Sequence, residues 1–308
     1  MTERRFDDRV AVITGAGRGL GFEYAKLLAA KGARVIINDN GSAMDGSGDD
    51  TSVAQQAADV ITAAGGKAIA CTASVATPEG GEAIIQAALN EWGRIDILIH
   101  NAGNTRMDPL ATITNEAFRS VIDVHLLGAI HVTRPAFAPM VKAGYGRVVL
   151  TSSIGGLYTM PQTGGYPVSK AGMIGLSNLI AIEGADHGVK SNLILPGAVT
   201  RMADGLDTSE YPPMSPEMVA PMVGYLVHED CAVSAEMYVA VAGRLARAYM
   251  SETRGVYRRD WTIDSIADNL STIRDPHDGF TFHPAEGGFF AHLSESFAMA
   301  KAGAKQGA

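Results

Sequence analysis

The sequence predicts an α/β fold, a doubly wound parallel sheet of about seven short strands with helices on both faces. Three observations lead there. Short apolar, β-branched runs alternate with longer helical stretches over about the first 240 residues. The runs are nearly continuous in apolar residues, the pattern of strands buried on both faces. A glycine-rich turn, Thr14 to Gly21, joins the first run to the first helical stretch.

Taken in order, Arg9 to Thr14 is the first strand, and the helical pattern after it stops at Lys31-Gly32. Arg34 to Asp39 is the second strand. Residues 40–50 are rich in Gly, Ser and Asp and read as an extended loop. Strands are expected at 67–72, 96–100, 147–151, 191–195 and 237–241. Helices are expected at 51–64, 78–92, 115–142, 164–187 and 216–228. Right-handed crossovers then wind the sheet in both directions. Residues 244–308 fall outside the alternation and mix aromatics (Tyr249, Tyr257, Trp261, Phe280, Phe289, Phe290) with Arg244, Arg247, Arg254, Arg258 and Arg259. No repeat or linker marks a second domain. The expected division is one domain over 1–243 and an extension over 244–308, packing on that domain or on a neighbouring subunit.

Composition narrows the function. The 308 residues carry a net charge of −8, with 46% hydrophobic and 19% charged, so a sizeable core forms and global disorder is excluded. No Lys/Arg cluster could track nucleic-acid phosphates. No run of about 18 apolar residues could cross a membrane. The first residues lack the apolar segment of a leader, and the last do not form a peroxisomal Ser-Lys-Leu address. Cys71 and Cys231 are the only cysteines, so neither a disulfide framework nor a zinc site is indicated. His100 reads as a strand-end structural residue rather than a metal ligand. The expectation is a cytoplasmic, metal-free protein acting on a small molecule, with no nucleic-acid or membrane partner.

The chain has 35 glycines. Gly15, Gly19 and Gly21 stand where backbone must approach a pyrophosphate without interfering Cβ atoms, and the following helix offers free N–H groups to that anion. Asp39 ends the second strand at about the spacing expected of an acid that binds the adenosine ribose hydroxyls. A carboxylate there repels a 2′-phosphate, so NAD is favoured over NADP. Arg18, which could accept that phosphate, argues the other way.

Tyr166 and Lys170 stand four residues apart on one helix face. A phenol is a poor base at neutral pH. A neighbouring ammonium and a positive nicotinamide ring would both favour phenolate. Thr151-Ser152-Ser153 closes a buried strand at the end where open α/β sheets bind ligands.

With these pieces in order, the sequence resembles the short-chain dehydrogenase/reductase family over about residues 8–243, a family of Rossmann-type folds. The resemblance rests on the glycine fingerprint, Asn101-Ala102-Gly103, Ser153, Tyr166, Lys170 and Pro196-Gly197. It implies that Tyr166 is the acid/base, that Ser153 polarises the substrate oxygen, and that Lys170 holds the nicotinamide ribose and lowers the Tyr166 pKa. It implies cofactor contacts at Gly15, Arg18, Gly19, Leu20, Gly21, Asp39, Ser74, Val75, Asn101, Ala102, Gly103, Tyr166, Lys170, Pro196, Gly197 and Val199. The chemistry implied is hydride transfer between a carbinol carbon and the nicotinamide.

A narrower likeness is carried by Asn38 to Gly41 with its Gly-rich insertion, Asp123-Val124-His125, Tyr145 to Val148, Ala181 to Gly184 and Arg201-Met202. These are similar to the (3R)-hydroxyacyl-CoA dehydrogenase modules of peroxisomal multifunctional enzymes, related to the 17β-hydroxysteroid dehydrogenase type 4 enzymes. Three positions depart from the general family pattern. His125 replaces a helix Asn that holds a relay water, and either tunes that relay or is a packed histidine. Ala73 replaces the Asp that meets the adenine, leaving Ser74 or backbone. The Thr after Pro-Gly falls on Arg201, with Thr200 one place early.

By the same resemblance, residues 201–222 form the substrate loop. Its methionines, Met202 among them, suit a pliable apolar pocket. Tyr158 either lines that pocket or is an ordinary loop tyrosine, and the tail arginines either grip a CoA phosphate or cap the subunit. The helices near 115–142 and 164–187 would pair subunits into a homodimer or homotetramer. The leading reading is an NAD-dependent dehydrogenase of a secondary alcohol, a 3-hydroxyacyl-CoA or a hydroxysteroid-like compound. An NADPH-dependent ketone reductase and a non-catalytic nucleotide sensor stand as alternatives.

Overall fold

The computed structural model describes residues 3–200, 207 and 209–306. Met202 and most of the first third of the expected substrate loop lie outside these residues.

The expected alternation is present. β1 (Val10–Thr14), β2 (Arg34–Asn38), β3 (Lys67–Cys71), β4 (Ile97–His100), β5 (Gly146–Thr151), β6 (Val189–Gly197) and β7 (Met237–Val241) alternate with α1 (Gly19–Ala30), α2 (Ser52–Ala63), α3 (Pro78–Trp92), α4 (Asn115–Ile122), α5 (Gly128–Ala143), α6 (Tyr166–Gly184) and α7 (Ala220–Leu226). The strands pair in parallel, Val12 lying opposite Ile36 on one side and Leu98 on the other. An eighth strand, β8 (Arg244–Ala248), follows β7 through the two-residue turn Ala242-Gly243, both at positive φ. So short a turn reverses the chain and makes β8 an antiparallel edge. The sheet therefore has eight strands rather than about seven.

The sheet order is β3-β2-β1-β4-β5-β6-β7-β8. The chain winds outward from β1 in one direction and from β4 in the other. A crevice opens at the carboxyl ends of these two strands, where such sheets bind ligands. Ile13, Val35, Ile37, Ile97, Ile99, Val149 and Ile194 are fully buried beneath it. Burial thins toward both edges: in β3 Lys67 is exposed and the rest half-buried, β8 is exposed or half-buried throughout, and three of the five β7 residues are half-buried.

The helix expected over 115–142 is interrupted. A π-helical turn, Asp123–Leu127, separates α4 from α5 and carries His125. Such turns insert an extra residue and re-aim side chains.

The chain divides into two compact units, Met1–Arg247 and Ala248–Ala308. In the second, β9 (Glu252–Thr253) pairs antiparallel with β10 (Gly279–Phe280), alongside α8 (Ile263–Ile273) and α9 (Gly288–Gln306). Thr262 and Ser265 form a capping box that starts α8. Arg254 binds Asp278 at 2.5 Å and lies 4.6 Å from the Phe280 ring centroid, so one tail arginine has a structural use. No helix among the described residues is long and apolar enough to cross a membrane. No cluster of His, Cys, Asp or Glu among them could hold a metal ion.

Candidate active site

The glycine turn is a cradle that side chains would fill. Gly15 has φ +62°, and a Cβ there would sit 2.7 Å from Ala102 Cα. A Cβ on Gly21 would lie 2.2 Å from the Gly15 carbonyl. No side chain among the described residues caps the α1 N-terminus, which leaves first-turn N–H groups to face an anion. Asp39 closes the turn: one carboxylate oxygen accepts the Gly17 N–H (3.0 Å) and the other the Gly41 N–H (2.8 Å). Arg18 is exposed beside the turn; the Ser52 hydroxyl and N–H, and to a lesser extent the Arg18 charge, hold Asp50 below the usual carboxylate range. Thr200 lies against Gly19, 3.6 Å from where its Cβ would be, so coming one place early does not remove it from the turn. These features fit the dinucleotide implied by the sequence.

A buried hydrogen-bond chain links this end to the chemical end. The Thr14 hydroxyl accepts the N–H groups of Asn101 and Ala102, both at 3.1 Å. Its own proton therefore points to His100 Nδ1 at 3.0 Å. That places the imidazole hydrogen on Nε2, which donates to the His125 carbonyl at 3.0 Å. Burial pushes His100 down to about 3, so it is neutral. Asn101 Nδ2 donates to the Gly15 carbonyl. The resemblance gave His100 and Thr14 no role; a polar residue ending each of two adjacent apolar strands was the available signal.

His125 is fully buried. Its Nε2 lies 2.7 Å from the Asn104 carbonyl and 3.1 Å from the Asn104 N–H, so the tautomer sets which of the two it pairs with. Nδ1 is buried and without a partner among the described residues. Burial, and then the nearby Lys170, hold this imidazole well below its ordinary pKa. The ring packs edge-on to Tyr166, with centroids 5.4 Å apart at 85°.

Ser153, Tyr166 and Lys170 meet beyond the end of β5. The Ser153 side chain stands beside the Tyr166 hydroxyl, and its Oγ accepts the Gly155 N–H at 3.0 Å. Tyr166 opens α6, and Lys170 lies one turn on with Nζ 5.5 Å from the tyrosine ring centroid. Lys170 Nζ donates to the Thr151 carbonyl at 2.6 Å, and Ser152 Oγ donates to the Lys170 carbonyl at 2.8 Å. These bonds staple β5 to α6. Burial lowers Lys170 to about 7. Tyr166 sits above its ordinary value because burial outweighs the lowering by nearby Ser153. The lowered Tyr166 pKa implied by the resemblance is thus not a property of the free chain.

The remaining sequence-picked residues divide. Leu20 lies in the first turn of α1. Ser74 Oγ accepts the Ala76 N–H, and Val75 is buried with its carbonyl accepting from His131. Pro196 and Gly197 complete β6. The Val199 N–H donates to the Met214 carbonyl at 2.7 Å, which commits that donor to the loop. Tyr158 is 79% exposed.

A family model described as short chain dehydrogenase matches residues 9–210. The chain belongs to that family. It is 39% identical over 277 residues to the peroxisomal multifunctional enzyme type 2 of Drosophila melanogaster, a match covering 88% of this chain and 46% of the relative. The chain thus spans about half the length of that relative. A crystal structure of a short chain dehydrogenase from Mycobacterium avium superposes with a TM-score of 0.75 at 35% identity, covering 88% of this chain and 98% of the other. A 7α-hydroxysteroid dehydrogenase complexed with NADH and 7-oxo glycochenodeoxycholic acid superposes at 0.71 with 25% identity, covering 78% and 95%.

Proposed function

We propose that this chain is an NAD-dependent dehydrogenase of secondary alcohols, with Tyr166 as the acid/base. The observation that carries the reading is the convergence of Ser153, Tyr166 and Lys170 beside a glycine cradle at the crevice of the sheet. The bound nicotinamide supplies the hydride acceptor. Ser153 hydrogen-bonds the substrate oxygen and the Tyr166 hydroxyl takes or returns its proton. Lys170, with a pKa near neutrality, exchanges protons at working pH and holds the nicotinamide ribose. His125 tunes the proton path from beside Tyr166. Asp39 receives the adenosine ribose hydroxyls and disfavours a 2′-phosphate, while the Asp50 charge offsets Arg18. The NADH complex of the hydroxysteroid dehydrogenase supports the same choice.

The substrate is a 3-hydroxyacyl-CoA or a hydroxysteroid-like alcohol. The first rests on the likeness to the multifunctional enzymes and the second on the solved structural neighbour. Val168, Leu179 and Ile182 are exposed on α6 and support a homodimer or homotetramer, testable by analytical ultracentrifugation. The chain works in the cytoplasm, and fluorescence of a tagged chain checks that against the peroxisome. A screen of 3-hydroxyacyl-CoAs, hydroxysteroids and small secondary alcohols tests the function with NAD⁺ and NADP⁺. Turnover of one of the first two classes with NAD⁺ is expected; turnover only with NADP⁺, or with none, overturns the reading.

A further inference from the structure

The insertion after β2 does more than connect two elements. Its base is pinched: the Asp50 N–H donates to the Asn40 carbonyl at 3.0 Å, and a Cβ on Gly41 would fall 2.1 Å from the Asp50 carbonyl. Inside, the Ala43 N–H donates to Ser47 O and the Gly46 N–H to Ala43 O. It is a compact loop with joined ends, a form that recurs at functional sites. Its tip bonds to a different strand's exit, where the Thr105 N–H donates to the Met44 carbonyl at 2.8 Å. Since β1 stands between β2 and β4, the loop spans two strand spacings, about 10 Å. It passes the end of β1, where the glycine cradle lies.

At the far end it meets Asn104. Gly46 has φ +85°, and a Cβ there would sit 2.7 Å from Asn104 Nδ2. That nitrogen donates to the Ser120 carbonyl of α4, whereas Oδ1 has no partner among the described residues. The Asn104 amide is thus held through Nδ2 alone. Its main chain meets His125 Nε2 at both the carbonyl (2.7 Å) and the N–H (3.1 Å).

We propose that residues 41–50 are a strap tying the Asp39 end of the cleft to the catalytic end, with Gly46 and Asn104 as positioning residues for His125. The proposal rests on the functional reading above for its kinetic consequence, but not for its structural one. A methyl group at Gly46 crowds Asn104 Nδ2 away from Ser120, and the strap passes that shift to the 104 main chain and the His125 ring beside Tyr166. Misplacing a catalytic group by about an ångström costs up to about a hundredfold in rate.

Gly48 provides the control. It lies in the same loop with φ +65°, and a Cβ there would meet nothing within 4 Å. Gly46→Ala and Gly48→Ala therefore carry similar backbone strain, and only the first reaches Asn104. The experiment measures amide hydrogen exchange at 103–105 and 123–127 in both variants, with NADH affinity by fluorescence, kcat, KM and the pH profile of kcat. Gly46→Ala is expected to lose protection in both segments, to lose about tenfold or more in kcat with a shifted pH profile, and to keep NADH affinity within about threefold. Gly48→Ala is expected to stay within about twofold of wild type throughout. Equal behaviour of the two variants, or a Gly46→Ala effect confined to KM and NADH affinity, would overturn the proposal. A wild-type chain without dehydrogenase turnover would overturn the functional reading instead, while the exchange data still decide whether the strap holds 103–105.

Discussion

Gly103 lies so close to His125 that a Cβ at position 103 would sit 2.4 Å from the imidazole Cε1. The glycine of Asn101-Ala102-Gly103 is therefore the wall against which the histidine ring packs. Its φ is not in the left-handed region, so contact rather than conformation excludes a side chain. Gly103→Ala is expected to destabilise the chain by about 1–3 kcal/mol through overpacking, and to lower kcat more than it weakens NADH binding. Urea unfolding and steady-state kinetics check this; a variant with unchanged stability and kcat contradicts the packing described.

Two fully buried histidines, His100 and His125, make stability depend on pH. His100 sits near 3 and His125 well below its ordinary value, while an unfolded histidine titrates near 6.5. Between about 6.5 and 3 the unfolded chain binds protons that the folded chain refuses, so stability falls as pH falls through that window. Each histidine contributes a slope of about 1.4 kcal/mol per pH unit. His100→Asn is expected to remove one such contribution. Unfolding free energies at pH 4.5 to 7 measure it, and an unchanged slope would mean that His100 is not held neutral.

Lys170 acts at the other end of the scale. Its folded value is about 7, against about 10.4 in an unfolded chain. Below about pH 7 both states carry the proton and the burial cost is constant. Above it the unfolded chain alone keeps the proton, so stability gains with rising pH. The stability of wild type relative to Lys170→Met is expected to rise between pH 7 and 9, by about 1.4 kcal/mol per unit. A flat difference over that range would show that Lys170 keeps its charge when folded.

Asp39 is predicted to select the cofactor. Asp39→Asn keeps an acceptor for the Gly17 or Gly41 N–H but removes the charge facing a 2′-phosphate. The ratio of NADH to NADPH affinity, read by fluorescence titration, is expected to fall by about tenfold, or 1.4 kcal/mol. An unchanged ratio assigns selection to another residue.

Much of this was legible in the chain because burial and local chemistry agree along it. α3 spans the expected 78–92, opening on Pro78 and closing at the left-handed Gly93. The seven parallel strands follow the apolar runs. What sequence missed depends on contacts between distant segments. Nothing local marks the π-turn at 123–127; it appears where the His125 carbonyl is taken by His100 from another strand. Nor does the composition of 40–50 reveal that Met44 reaches Thr105. The elements of 252–306 were hidden because they bury almost no apolar side chain, and periodicity there is weak. Among the site residues, Ser153, Tyr166 and Lys170 were readable from type and order. Thr14, Gly17 and Asn104 were not, since their value lies in partners 20 or more residues away.

The central claim is that the Tyr166 hydroxyl, beside Ser153, moves the proton. Its most direct test is kcat of Tyr166→Phe on the best substrate, measured together with NADH affinity. The arrangement predicts a loss of about 10²–10⁴-fold in kcat with coenzyme binding nearly intact. Turnover close to wild type in that variant would contradict the assignment.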